Sequence, residues 1–133
     1  MPISAYSVSA APPPKPVEWV GSSRDDVRAM PKQVRDALGY ALYLVQQGGN
    51  PPRYKRMRGE LSGVMELLDD HDGDAYRLMY TVRLAGVVYV LHAFQKKATR
   101  GIATPRHVVQ LIKRRLTVAR RHHALHYGGT EGR

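Results

Sequence analysis

Two turn dipeptides, Asp72-Gly73 and Ala85-Gly86, constrain this chain more than any other feature. Each sits between short apolar segments rich in β-branched and aromatic residues, the pattern of a hairpin turn between strands. They predict strands at Val64–Leu68, Tyr76–Arg83 and Val87–Phe94, joined as an antiparallel meander. If Ala85-Gly86 is a two-residue turn, Leu84 faces Val87, and by subtraction Arg77 faces Phe94 and Met79 faces His92. Leu78, Tyr80 and Val82 then share a face with Ala93, Leu91 and Tyr89, and the Asp72-Gly73 turn adds Leu67 and Met65. That face is wholly apolar, so helices should cover it. The opposite face receives Glu66, Leu68, Arg77, Met79, Thr81, Val90, His92 and Phe94, a mixed surface expected to stay open. Strand side chains alternate strictly, so a one-residue register slip would send this set to the other side, and the assignment rests on even-numbered turns without a bulge.

The flanks supply the helices. Met1 to Pro16 is proline-rich and polar, with Pro12-Pro13-Pro14, and reads as a disordered or polyproline-like extension over residues 1–16. Val17 to Val20 reads as a short first strand. Ser22 or Ser23, followed by Asp25 and Asp26, forms a helix start with acids where the dipole favours them. Val27, Met30, Val34, Ala37, Leu38, Ala41, Leu42 and Val45 make one helical stripe. Pro31 interrupts it and fits the first position of a second helix, which Gly48-Gly49-Asn50-Pro51-Pro52 ends. Thr104-Pro105 caps a last helix with Val108, Val109, Ile112, Leu116 and Ala119 on one side, and a basic, histidine-rich tail over 122–133 is expected to fray. The expected fold is α+β: a two-layer domain over 17–121, with an N-terminal helical hairpin on a small antiparallel sheet and a C-terminal helix.

With 133 residues the chain is one domain, and 43% hydrophobic with 24% charged residues excludes wholesale disorder. The absence of Cys excludes disulfides, thiolate metal sites and cysteine nucleophiles. No apolar run reaches the roughly 18 residues of a membrane span, and the N-terminus lacks the basic start and apolar stretch of a signal peptide, so a cytoplasmic protein with no membrane partner is expected. A net charge of +10 points to a polyanionic partner, whether RNA, DNA, an acidic protein or a membrane surface. The charge is uneven. A basic knot of Arg53, Lys55, Arg56 and Arg58 precedes an acidic stretch at Glu66, Asp69, Asp70, Asp72 and Asp74, and from Arg77 to Arg121 there are eleven Lys or Arg and no acid.

The mixed sheet face therefore carries Arg77, His92 and Phe94 next to Lys96, Lys97 and Arg100. Arginine grips phosphate with a planar fork, lysine supplies a point charge and phenylalanine stacks on a base, which makes this face a candidate anion site. Two other readings stay open: Arg77 pairs with Glu66 or an aspartate, and Phe94 is strand-end packing. His122, His123 and His126 have metal-like spacing, but a tail cluster without acids or Cys reads as incidental, and no metal or other cofactor is assigned.

Tyr76-Arg77-Leu78-Met79-Tyr80, the phrase His92-Ala93-Phe94-Gln95-Lys96-Lys97, Thr104-Pro105 opening the last helix and Glu66-Leu67 together resemble the RelE/ParE toxin superfamily. The match is closest to the phage-derived, HigB-like branch of type II toxin–antitoxin systems, over about Pro16 to Arg121. The resemblance implies a RelE-like fold and a metal-independent, ribosome-dependent mRNA endoribonuclease that cuts in the A site. It also implies a cognate helix-turn-helix antitoxin, with operator DNA reached only through that antitoxin. It assigns Arg77 to phosphate stabilisation and Lys96 and Lys97 to phosphate contact. His92 is then an acid or base, or else a packed strand histidine. Arg53, Lys55, Arg56, Arg58, Phe94 and Arg100 bind RNA, the basic knot being otherwise a solvated loop. Relatives place further active-site groups near the C-terminus, where Arg121-His122-His123-Ala124-Leu125-His126-Tyr127 offers no secure counterpart. A ParE-like inhibitor of DNA gyrase and a non-catalytic basic binding module are the alternatives.

Overall fold

The computed structural model describes residues 13–96 and 104–132. Most of the proline-rich extension, together with Lys97 and Arg100, therefore lies outside the described residues. The element order is β1 (Val17–Trp19), α1 (Ser23–Arg28), α2 (Lys32–Gln46), β2 (Tyr54–Arg56), a 3-10 turn (Gly59–Leu61), β3 (Met65–His71), β4 (Asp74–Thr81), β5 (Val88–Lys96) and α3 (Arg106–Tyr127). The five strands form one sheet in the order β1-β5-β4-β3-β2, with β1 parallel to β5 and every other pair antiparallel. The fold is α+β, with the meander at its centre. Two strands flank the meander: the expected first strand, β1, on one edge, and on the other β2, built from part of the basic knot.

The Asp72-Gly73 turn forms as its chemistry dictates. Both residues have positive φ, 50° and 81°, the mirror-image geometry that matches strand twist, and His71 pairs with Asp74 across it. Between β4 and β5 the expected register holds for Arg77↔Phe94 and Met79↔His92, then shifts to Tyr80↔Val90 and Thr81↔Tyr89. Leu91 is the extra residue of a bulge. Because a bulge reverses the alternation beyond it, Val88 and Val90 join Leu67, Leu78 and Tyr80 in a core under α1 and α2, with Met30, Val34, Leu38, Leu42 and Val45. Tyr89 and Leu91 instead join Met79 in a second core under Val108, Ile112 and Ala119 of α3. The mixed face expected to be open is thus half covered by α3, and the helices occupy both sides of the sheet.

The carbonyls of Val90 and Leu91 find partners beyond β4. Val90 O accepts from the Val20 amide (2.9 Å) and the Ser23 hydroxyl (3.2 Å), while Leu91 O accepts from Arg115 (3.0 Å). Buried main-chain groups must find such partners. Ser22 occupies the N-cap position of α1, but its hydroxyl donates to the Asp26 carboxylate (2.8 Å). Pro31 lies one residue before the position expected of it. Its ψ of 149° makes it the last extended residue, and its carbonyl accepts the Arg35 amide to open α2.

The tail expected to fray from His122 is instead the end of α3, which runs to Tyr127 and stops at Gly128 in the left-handed conformation. Tertiary contacts hold it. His123 is fully buried with Nε2 bonded to Ala85 O (2.9 Å), His122 bonds the Tyr89 hydroxyl (2.8 Å), and the Tyr127 hydroxyl donates to Glu18 (2.6 Å). Among the described residues no helix is long and apolar enough to cross a membrane.

Candidate nucleic-acid interface

Period-two alternation places one residue from each of four strands on the part of the sheet that α3 leaves uncovered. Lys55 of β2 pairs with Glu66 of β3, Arg77 of β4 sits diagonal to Glu66, and Lys96 of β5 pairs with Ala75 one step along β4. Glu66 is buried at 6% exposure, and the Arg77 side chain is only 12% exposed. Burial raises the Glu66 carboxyl above its ordinary value, against the pull of Arg77, Lys55 and Lys96. The cluster is a buried carboxyl with Arg77 4.0 Å away and two further cations, Lys55 and Lys96, on the same face of the sheet.

Arg77 meets both partners that its alternative reading named. Its Nε lies 4.0 Å from Glu66 Oε2 and its Nη1 3.6 Å from Asp70 Oδ1. These are long contacts; the short bond is Nη1 donating to Tyr76 O at 2.9 Å. A guanidinium carries five N–H donors, so this fork retains donors for an oxyanion. Asp70 is half exposed and also holds Arg53 at 3.1 Å, so an incoming phosphate can displace it from both arginines.

His92 and Phe94 follow on β5. Their rings stack at 5.1 Å and 18°, and both line an open cleft of about 440 Å³ against Met30, Pro31 and Tyr76. Phe94 lies directly across from Arg77. Behind His92 stands Arg115 of α3, whose Nη1 donates to His92 Nδ1 (3.2 Å) as well as to Leu91 O, while Nη2 donates to Ser22 Oγ (3.1 Å). Gly21 makes this reach possible, because a Cβ there would stand 2.7 Å from Arg115 Nε. With Arg115 donating to Nδ1, the neutral ring carries its proton on Nε2 and presents a donor outward. Burial, then Arg115 and His107, hold the His92 pKa below its ordinary 6.5, with Asp26 opposing them.

Arg115→Met should therefore raise the His92 pKa, read from the imidazole proton shift in an NMR pH titration. An unchanged value would show that the pair does not govern the ring. The sign for stability follows by linkage. Between the lowered folded value and 6.5 the unfolded chain binds a proton that the folded chain excludes, so folding stability is full above 6.5 and is lost as pH falls through the folded value.

The basic knot divides. Arg53 is paired to Asp70, Lys55 faces Glu66, Arg56 projects to the other side of the sheet as the neighbour of Lys55 on a strand, and Arg58 is exposed before the 3-10 turn. Nearby, Arg106 and Lys113 clamp Glu60, whose carboxyl they hold down to about 2. Sequence reasoning did not assign Asp70 and Arg115 to the site. The hairpin register could have found Asp70, two residues from Leu68 on the same strand face; no sequence signal pointed α3 at the bulge through Arg115.

Residues 25–117 match the family model described as phage derived protein Gp49-like. Among solved structures, the toxin–antitoxin complex RelBE2 from Mycobacterium tuberculosis is similar at 23% identity, with a TM-score of 0.46 over 63% of this chain and 100% of that one. No curated protein matches the chain.

Proposed function

Because the chain belongs to the phage-derived Gp49-like family, we propose that it is the toxin of a type II toxin–antitoxin system, acting as a ribosome-dependent, metal-independent mRNA endoribonuclease. The observation that carries this reading is the set of cations Lys55, Arg77 and Lys96 sharing one sheet face with buried Glu66, beside the stacked His92 and Phe94. The reaction is attack of a ribose 2′-OH on the adjacent phosphate. It gains most from preorganised positive charge at the phosphorane and from holding the nucleotide in line.

In this reading the Arg77 fork takes two phosphate oxygens, with its bond to Tyr76 O fixing its orientation. Lys96, and Lys97 beyond the described residues, add point charge, and Phe94 stacks on a base. His92 acts through Nε2–H as a hydrogen-bond donor to the phosphate or the leaving oxygen. Its Nδ1 is committed to Arg115, so it is not the general base. Arg53, Lys55, Arg58 and Arg100 hold the flanking backbone. The partners are mRNA displayed in the ribosomal A site and a cognate helix-turn-helix antitoxin, through which alone operator DNA is reached; the setting is the cytoplasm.

The test is brief induction of the wild-type chain in cells, with new mRNA 5′ ends mapped at single-nucleotide resolution. Cuts locked to the reading frame inside translated regions are expected. Growth arrest with gyrase-linked DNA damage and no cuts would replace this reading with a gyrase-directed toxin. Soluble expression with neither arrest nor cuts would overturn both.

A further inference from the structure

On the side of the sheet away from Glu66 and Arg77 lies a second concavity of about 420 Å³, between the end of α2, β2 and the end of β4. That is the size of a small-ligand site. Its cationic lining is Lys15, Arg56 and Arg83, and no carboxylate lines it. Among the described residues none of these three has a carboxylate within 4 Å, unlike Arg53, Arg77, Arg106, Lys113 and Arg120. Tyr54 and Tyr80 supply the aromatic wall. Gly63 lets the Arg83 side chain lie flat on the main chain, since a Cβ there would stand 2.7 Å from Arg83 Nε. Unpaired cations converging on a concave, acid-free surface are an anion site in waiting.

Strand geometry ties this pocket to the other face. Lys55 and Arg56 are consecutive residues of β2, so one lies on the Glu66 face and the other lines the pocket. Because β2 is the last strand of the sheet, only its open edge separates the two sites. We infer that the pocket binds the phosphate of a nucleotide flanking the cleaved one, with the RNA strand wrapping over the β2 edge. This inference rests on the proposed RNA substrate and extends it to a second contact.

The test uses the full chain and a labelled single-stranded octaribonucleotide, with affinity measured by anisotropy across a salt series. Arg56→Gln with Arg83→Gln should weaken binding by about tenfold and lower the slope of log K against log salt by roughly 0.7, the loss of one single-strand phosphate contact. The control, Arg114→Gln with Arg121→Gln, removes the same charge from exposed positions of α3 and should leave the slope nearly unchanged. Equal behaviour of the two double variants would overturn the subsite. Amide shifts on titrating adenosine 5′-monophosphate separate the sources of the phosphate. Weak, millimolar perturbation at Gly63 and Val64 fits a subsite that needs the attached strand. Tight nucleotide binding with RNA affinity indifferent to Arg56 and Arg83 would mean a free-nucleotide site and overturn the RNA contact. A chain that makes no cuts in cells yet shows the pocket effect would sink the nuclease reading alone.

Discussion

Cells expressing the Arg77→Ala chain should show about a hundredfold fewer frame-locked mRNA cuts than cells expressing the wild type, with folded protein at the same level. Deleting one preorganised group at a developing oxyanion typically costs about 10²–10³ in rate, and among Lys55, Arg77 and Lys96 only Arg77 carries a planar fork. The fold should survive, because the contacts to Glu66 and Asp70 are long and the paired backbone of β4 does not depend on the side chain. Glu66, left with fewer cations and already disposed by burial to hold a proton, takes one up more readily. A charge alone is not enough: Arg77→Lys should restore less than a tenth of the activity, since an ammonium cannot take two phosphate oxygens in one plane. Undiminished cutting by a folded Arg77→Ala chain would remove this face from the reaction.

The hairpin turns made most of the sheet legible. Asp72-Gly73 admits few backbone geometries, and Arg77↔Phe94 follows from counting back from Ala85-Gly86. What counting could not reach was Leu91. A bulge is one extra residue whose carbonyl needs a partner from elsewhere, and that partner, Arg115, comes from a helix 24 residues on. For the same reason Val90 and Leu91 exchange faces, and α3 covers part of the face expected to stay open. β2 was missed because Tyr54-Lys55-Arg56 has a polar, highly charged composition; its strand identity comes from pairing with β3, a tertiary effect that overrides local propensity. The end of α3 was misread for a related reason. Histidines at 122 and 123 look like a polar tail until Ala85 O and the Tyr89 hydroxyl are brought to them. In the site, residue types on alternating strand positions revealed the cations, whereas the state of His92 depends on a distant arginine that no local pattern announces.

Ile112→Ala should lower folding stability by about 2–5 kcal/mol, the range for truncating a fully buried aliphatic side chain in a core that cannot collapse around the gap. Ile112 seats α3 on Met79, Tyr89 and Leu91, and those neighbours are themselves less than 2% exposed, so little can move into the space. Set against a total of roughly 5–15 kcal/mol, this is among the largest single-residue effects the fold offers, and in urea melts it should move the midpoint far more than Val118→Ala. Val118 lies on the same helix at 52% exposure, and its truncation should stay within about 0.5 kcal/mol. The damage should reach the site before global unfolding. α3 carries Arg115, so loosening the helix releases Leu91 O and His92 Nδ1 together, and the His92 pKa should climb toward its ordinary 6.5 while the Asp72-Gly73 hairpin keeps its hydrogen-exchange protection. Equal costs for Ile112→Ala and Val118→Ala would mean that α3 does not rest on this face, and His92 would then titrate as a solvent-exposed imidazole in the wild-type chain.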